Sequence, residues 1–300
     1  MSDMWKVLER QAAVPVGKRI DLDRDFDPAA SSGAGTKDES AEKLAEGIST
    51  LFELQDRFFA DASRSLLIVL QATDAAGKDG TIKHVMSGLN PEGVDVHSFK
   101  GPTANELVHD YLWRHNRALP SLGKIAIFNR SHYENVLICR VHPNLVWPAP
   151  ARSIAPADLW RQRYRQINDW ERYLTENGTV IVKLFLNLSK DEQERRFLAR
   201  IDDLQKNWKF SVDDIKERPY WNEYRQAFQE MINETDTEVA PWHVVPADHK
   251  WFSHLTTSAI LVETLRKIDP QYPKVSAEQR AALLKVKDEL IGNSGKPGQA

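Results

Sequence analysis

Cysteine is almost absent: Cys139 is the one thiol in 300 residues. No internal disulfide can form, thiolate metal sites are excluded, and Cys139, set in an apolar run, reads as a small core residue rather than a nucleophile. An excess of charge of either sign is missing too. With 40 basic and 43 acidic residues the formal net charge is -3, which excludes a surface basic enough to hold nucleic acid by phosphate neutralisation over the whole molecule. Any polyanion site must therefore be local. Long apolar runs are also lacking: no stretch approaches the ~18 apolar residues that span a bilayer, and the start has no apolar signal core. We expect a cytoplasmic protein with no membrane partner. No internal repeat is present.

What is there suits a packed core, with 41% hydrophobic and 28% charged residues. Asp27 to Ser40 runs through small and polar residues that bury too little apolar surface to offset ordering entropy, so it is either a mobile arm or a loop wrapped on something. A helix is expected from about Glu39, with Leu44, Ile48, Leu51, Leu54 and Phe58 on one stripe, ending before Ser65. The period then changes. Leu66 to Leu70 is a short continuous apolar run, as in a strand covered on both faces of a parallel sheet. Similar runs recur at Val94 to Phe99, Ile125 to Phe128, Val180 to Leu186 and Trp242 to Val245. Between them lie stretches of helical spacing, such as Leu159, Trp160, Tyr164, Ile167, Trp170 and Leu174. Alternation of this kind predicts a doubly wound α/β domain. The charged stretch at 189–234 predicts a helical excursion from the sheet, and Ser276 to Ile291 one more helix. We place a partly irregular N-terminal arm at 1–45, the main domain at 46–270, and a C-terminal helix and tail at 271–300.

Directly after the first strand comes Ala72-Thr73-Asp74-Ala75-Ala76-Gly77-Lys78-Asp79-Gly80-Thr81, and then Ile82, Val85, Met86 and Leu89 at helical spacing. Strand, small-residue loop and helix form the setting in which backbone N-H groups and a helix N-terminus converge on a phosphate, with a lysine on its outer oxygens. Small residues are needed because a Cβ would hold the anion off the backbone. The Walker A pattern is imperfect, since Ala72 replaces the first glycine and Asp79 the magnesium-binding hydroxyl; Asp74 can supply the metal ligand instead. The alternative is a tight turn with Lys78 solvated. Lys83, one turn on, points either to the same anion or to water.

A P-loop site needs a second strand ending in an acid. Ile125 to Phe128 is followed by Asn129-Arg130-Ser131-His132-Tyr133-Glu134, so the acid position holds an amide and the nearest carboxylate is Glu134. Arg130 can clamp a transferring phosphate. For His132 and Tyr133 a buried polar cluster is the plainer reading, while Arg140 and His142 lie close by in sequence.

The run Asp74 to Lys83, with Asn129 to Glu134 downstream, resembles the type 2 polyphosphate kinase family. Lys206-Asn207-Trp208-Lys209-Phe210-Ser211 with Asp213 and Asp214 looks like that family's helical lid, and Trp221, Tyr224, Pro241-Trp242 and Lys250 fall where its later motifs would. The likeness covers roughly Leu51 to Ile268. It implies a P-loop kinase-like three-layer sandwich with a central parallel sheet and a helical lid. It implies phosphoryl transfer between inorganic polyphosphate and adenine or guanine nucleotides with Mg2+ (or Mn2+), in a homo-oligomer, dimer or tetramer. Many members carry aspartate where Asn129 stands; Asn-Arg-Ser-His-Tyr-Glu is similar to the third class, which acts on nucleoside mono- and diphosphates.

On this reading Asp74 and Glu134 face the metal, Lys78 and the Ala75 to Thr81 backbone the transferring phosphate, and Arg130 the charge that builds in transfer. Asn129, His132, Glu134 and Arg140 would orient the nucleotide. Arg195, Arg196, Arg200, Lys206 and Lys209 would hold the polyanion, the alternative for each being a solvated, salt-bridged face. An ATP-dependent nucleoside monophosphate-type kinase and a nucleotide-binding regulator remain open as other functions.

Overall fold

The computed structural model describes residues 2–147, 158–205, 207 and 212–293. Five strands form one sheet: β1 (Ser65–Ala72), β2 (Val94–Ser98), β3 (Ile125–Asn129), β4 (Thr179–Asn187) and β5 (Trp242–Pro246). Their order is β2-β3-β1-β4-β5 and every neighbouring pair is parallel.

β1 is central, with Val69 in register with Phe128 on one side and Lys183 on the other. Its apolar run is continuous because alternate residues feed different cores. Leu66, Ile68 and Leu70 pack with Leu51, Phe58 and Leu255 on one face, while Leu67 and Val69 pack with Tyr133, Ile167 and Phe228 on the other. The helices Ser40–Asp61 and Lys250–Ile268 cover the first face, and Leu159–Glu176 and Trp221–Thr235 the second. This is the expected three-layer α/β sandwich. The stretch expected to leave the sheet, 189–234, contains the helices Lys190–Asp202, Val212–Glu217 and Trp221–Thr235, of which the last lies on the second sheet face instead of leaving it.

Residues 1–45 are irregular over 13–21 and 26–39, and two helices, Ser2–Ala12 and Leu22–Asp25, lie among those stretches. Ser2–Ala12 is a helix that buries Trp5 and Leu8 in the same core as β1. Trp5 enters where Gly47 leaves room: a Cβ at Gly47 would sit 2.4 Å from Ser258 Oγ and 2.9 Å from the Trp5 ring. The Asp27 to Ser40 stretch is a loop wrapped on the body, with Ala34 buried and Asp248 N donating to Pro28 O at 3.0 Å. The helix Ala277–Asn293 is exposed along residues 277–291. No helix among the described residues is long and apolar enough to cross a membrane.

The chain leaves β1 for β2 at one edge of the sheet and leaves β4 for β5 at the other. A crevice opens at the carboxyl end of the central strands, where ligands bind in open α/β sheets.

Candidate active site

At the end of β1 the backbone turns sharply into the Lys78–Val85 helix. Ala75 has φ +63° and Gly77 φ +105°, left-handed conformations whose neighbouring N-H groups form anion-binding concavities. Gly77 is required here, because a side chain at that φ is strained whatever the space around it. Ala75 and Ala76 are buried. Lys78 folds back over the loop, its Nζ donating to Ala72 O at 3.1 Å. Burial pushes the Lys78 ammonium below its ordinary value, as does Arg130, while Asp74, Glu134 and Asp79 pull it up.

The turn after β3 meets this loop. Arg130, at φ +62°, donates its N-H to Leu70 O at 3.1 Å, which ties the turn to β1. Its guanidinium pairs with Asp74 Oδ1 at 3.0 Å. Burial pushes the Glu134 carboxyl above its usual range, against the pull of Arg130 and Lys78. In the orientation its neighbours require, the Gln71 amide donates to Glu134 Oε1 at 3.0 Å and accepts from Ser131. Asn129 Nδ2 donates to Asp79 Oδ1 at 2.8 Å, bracing the first turn of the loop helix.

Thr73, Asp74, Arg130 and Glu134 form one wall of a cavity of about 250 Å³. The opposite wall is Gln193, Glu217, Arg218, Trp221 and Tyr224. That wall is itself knitted: Glu217 Oε2 accepts from Tyr224 Oη at 2.8 Å and lies 2.8 Å from His142 Nε2. Arg218 donates to Gln193 Oε1 at 3.2 Å, and Gln193 Nε2 donates to Asp74 O at 3.1 Å. The helical excursion is thereby tied to the phosphate loop.

Over this geometry, residues 34–273 match the model of the family Polyphosphate kinase 2. The chain belongs to the polyphosphate kinase 2 family. It is 44% identical over 291 residues to the ADP-polyphosphate phosphotransferase of Rhodopseudomonas palustris, a match covering 95% of this chain and 99% of that one. It is 45% identical over 257 residues to the AMP/ADP-polyphosphate phosphotransferase of Meiothermus ruber, over 85% of this chain and 92% of that one. The crystal structure of Polyphosphate Kinase 2 from Arthrobacter aurescens superposes with a TM-score of 0.83 at 40% identity, covering 91% of this chain and 95% of that one.

In this polyphosphate kinase 2 fold the residues expected at the site divide. Asp74, Lys78, Arg130 and Glu134 come together. His132 does not join them: it is fully buried on the far side of the turn, its Nε2 3.3 Å from Glu171 Oε1, so a nucleotide cannot reach it. Arg140 pairs with Glu230 at 2.6 Å over the Trp160 ring, outside the cavity lining.

The expected polyanion cations also divide. Arg196 is buried and grips loop carbonyls, Ala75 O at 3.0 Å and Ala76 O at 2.9 Å, so it faces the loop's outside rather than a substrate. Arg195 is exposed and held by both oxygens of Glu192. Arg200 is half-buried beside Phe197, and Lys83 is exposed on the loop helix. Thr81 is buried in the first turn of that helix and Gly80 lies 3.9 Å, by a built Cβ, from His254 Nε2. Lys206 and Lys209 lie outside the described residues. Gln71, Gln193 and Glu217 were not anticipated. Trp221 and Tyr224, which line the cavity, had been picked out in the sequence only by the family resemblance.

Proposed function

We propose that this chain, a polyphosphate:nucleotide phosphotransferase, phosphorylates ADP and AMP from inorganic polyphosphate, reversibly and with magnesium. One observation carries the reading: a lysine, an arginine and two carboxylates on the β1 and β3 exits converge at a phosphate loop, beside a cavity with an aromatic far wall. The acceptor is a nucleotide phosphate, already anionic, so no base has to remove a proton. Transfer then reduces to alignment and charge neutralisation.

The loop N-H groups and Lys78 hold the transferring phosphoryl group. Lys78 now spends its donors on backbone carbonyls, and an incoming phosphate replaces those partners. Arg130, which pairs with Asp74 Oδ1 beside the loop, meets the oxygens on which charge builds. Trp221 and Tyr224 offer stacking surface to a nucleobase, and the cavity is too small for a polymer, which must run outward along the loop.

The donor set fits magnesium. Asp74 Oδ1, 3.0 Å from the Arg130 guanidinium, and Glu134 Oε1, which accepts from the Gln71 amide, present hard oxygens beside the loop. Magnesium suits such a place, since it is usually held by one or two carboxylates and completed by water and substrate phosphates. When bound it would neutralise phosphate charge.

Incubating ADP or AMP with polyphosphate and magnesium, without ATP, tests this. Chromatography should show ATP from ADP and ADP from AMP, and ATP incubated with a short polyphosphate should lengthen it by one phosphate per ADP released. Product only when ATP is supplied would instead mark an ATP-dependent nucleoside monophosphate-type kinase.

A further inference from the structure

β4 contains a residue that none of this uses. Between Ile181 and Phe185, on the sheet face that packs against Leu159–Glu176, stands Lys183, fully buried. Its Nζ donates to Glu171 Oε2 at 2.7 Å, to Tyr133 Oη at 2.9 Å and to Thr235 O at 2.7 Å. Glu171, also fully buried, accepts from Tyr133 Oη at 2.7 Å and meets His132 Nε2 at 3.3 Å. Burial works against charge on Glu171, yet Lys183 and His132 hold its carboxyl below its usual range.

Such a pair is a poor way to gain stability, because well-packed apolar residues of similar volume do as well or better. What it does provide is direction. Two successive side chains of the β3 exit, His132 and Tyr133, are drawn to one carboxylate, while Glu134, next in the chain, and Arg130, two residues before His132, face the cavity. The Tyr133 ring is further fixed edge-on to Trp242, and the His132 ring to Trp170.

We propose that Glu171 and Lys183 are positioning residues for phosphoryl transfer: by pinning Tyr133 and His132 beneath the sheet they set the turn that aims Arg130 and Glu134. The inference rests on the active-site reading above.

Two variants test it, in the full chain, with polyphosphate, magnesium and ADP. The double variant Glu171→Leu, Lys183→Met keeps the volume and removes the polar pins. It also leaves Tyr133 Oη, His132 Nε2 and Thr235 O without those partners, so its melting temperature should fall below that of the parent; at a temperature where it is folded, kcat should fall at least tenfold while KM for either substrate moves less than about threefold. Should that variant fail to fold, Tyr133→Phe decides, since it removes one hydroxyl. Positioning predicts that Arg130→Ala costs much less in kcat in the Tyr133→Phe background than in the parent. Additive losses, or a parent-like kcat in the folded double variant, overturn the proposal. A parent enzyme that makes no ATP from ADP and polyphosphate overturns the functional reading instead, so the two failures are distinct.

Discussion

Arg196 separates two ways of using a cation near a phosphate loop. Its guanidinium donates to Ala75 O (3.0 Å), Ala76 O (2.9 Å), Ala247 O (2.5 Å), Asp248 O (3.2 Å) and Glu192 Oε1 (2.7 Å). Arg196→Ala removes that partner from four carbonyls and one carboxylate at once. Each buried acceptor left dry costs about 1–3 kcal/mol, though water entering the vacated space satisfies part of the set. We expect a net loss of about 3–5 kcal/mol, as for removing one member of a buried charged pair. For a chain of this size that lowers the melting temperature by on the order of 10 °C. Activity at a temperature where the variant is folded should fall roughly 100-fold, the scale set by misplacing reactive groups by about 1 Å.

Arg196→Lys is the sharper variant, since it keeps the charge and loses the planar fork that spans the loop and the β5 exit. It should resemble Arg196→Ala in both melting temperature and kcat. Calorimetry and steady-state kinetics at two salt concentrations give the readout. The reasoning is refuted if Arg196→Lys behaves as the parent, or if Arg196→Ala keeps its melting temperature and loses polyphosphate affinity in a salt-dependent way. Either result would put the side chain on the substrate.

Lys78→Ala should lower kcat roughly 10²–10³-fold with the fold retained by circular dichroism, one such transition-state contact being worth roughly 3–4 kcal/mol; near-parent turnover would remove Lys78 from the site. Arg218→Ala cuts the contacts that hold the cavity-facing Arg218 to Gln193 and the Lys190 carbonyl, and should raise the nucleotide KM several-fold in kinetic assays with little change in melting temperature. Glu9, facing His243 and Lys267, has its carboxyl pushed down to about 2 by those partners against burial. Its folded value lies below the ordinary one, so its stabilisation is complete above about pH 4.5 and is lost as the pH falls toward 2. Glu9→Gln should therefore flatten acid denaturation followed by fluorescence across that window and leave neutral-pH activity unchanged.

β1, β3, β4 and β5 were legible because a strand buried on both faces leaves a short apolar run that local composition reveals, whereas β2, read as a run of the same kind, is a largely exposed edge strand. The loop was legible by its setting between strand and helix. Orientation was not. Arg196 and Arg200 share a helix face by spacing, but nothing local says whether that face meets solvent, substrate or the back of the loop. Lys183 lies inside a run read as an apolar strand, and its partners stand 12 and 50 residues away on other elements. The Ser2–Ala12 helix went unread because its burial depends on a gap at Gly47, which only the packed helices create.

That gap has a practical consequence. The stretch shared with the family model, 34–273, contains the whole cavity and omits Trp5 and Leu8. A tryptophan buries ~150–250 Å², worth about 4–6 kcal/mol at ~25 cal/mol per Å². Trimming the chain to the shared stretch would leave every reacting group in place and uncover an apolar slot along the Lys250–Ile268 helix. Such a shortened protein should fail first by sticking to itself rather than by losing chemistry, so the smallest usable enzyme is larger than the stretch the family model matches.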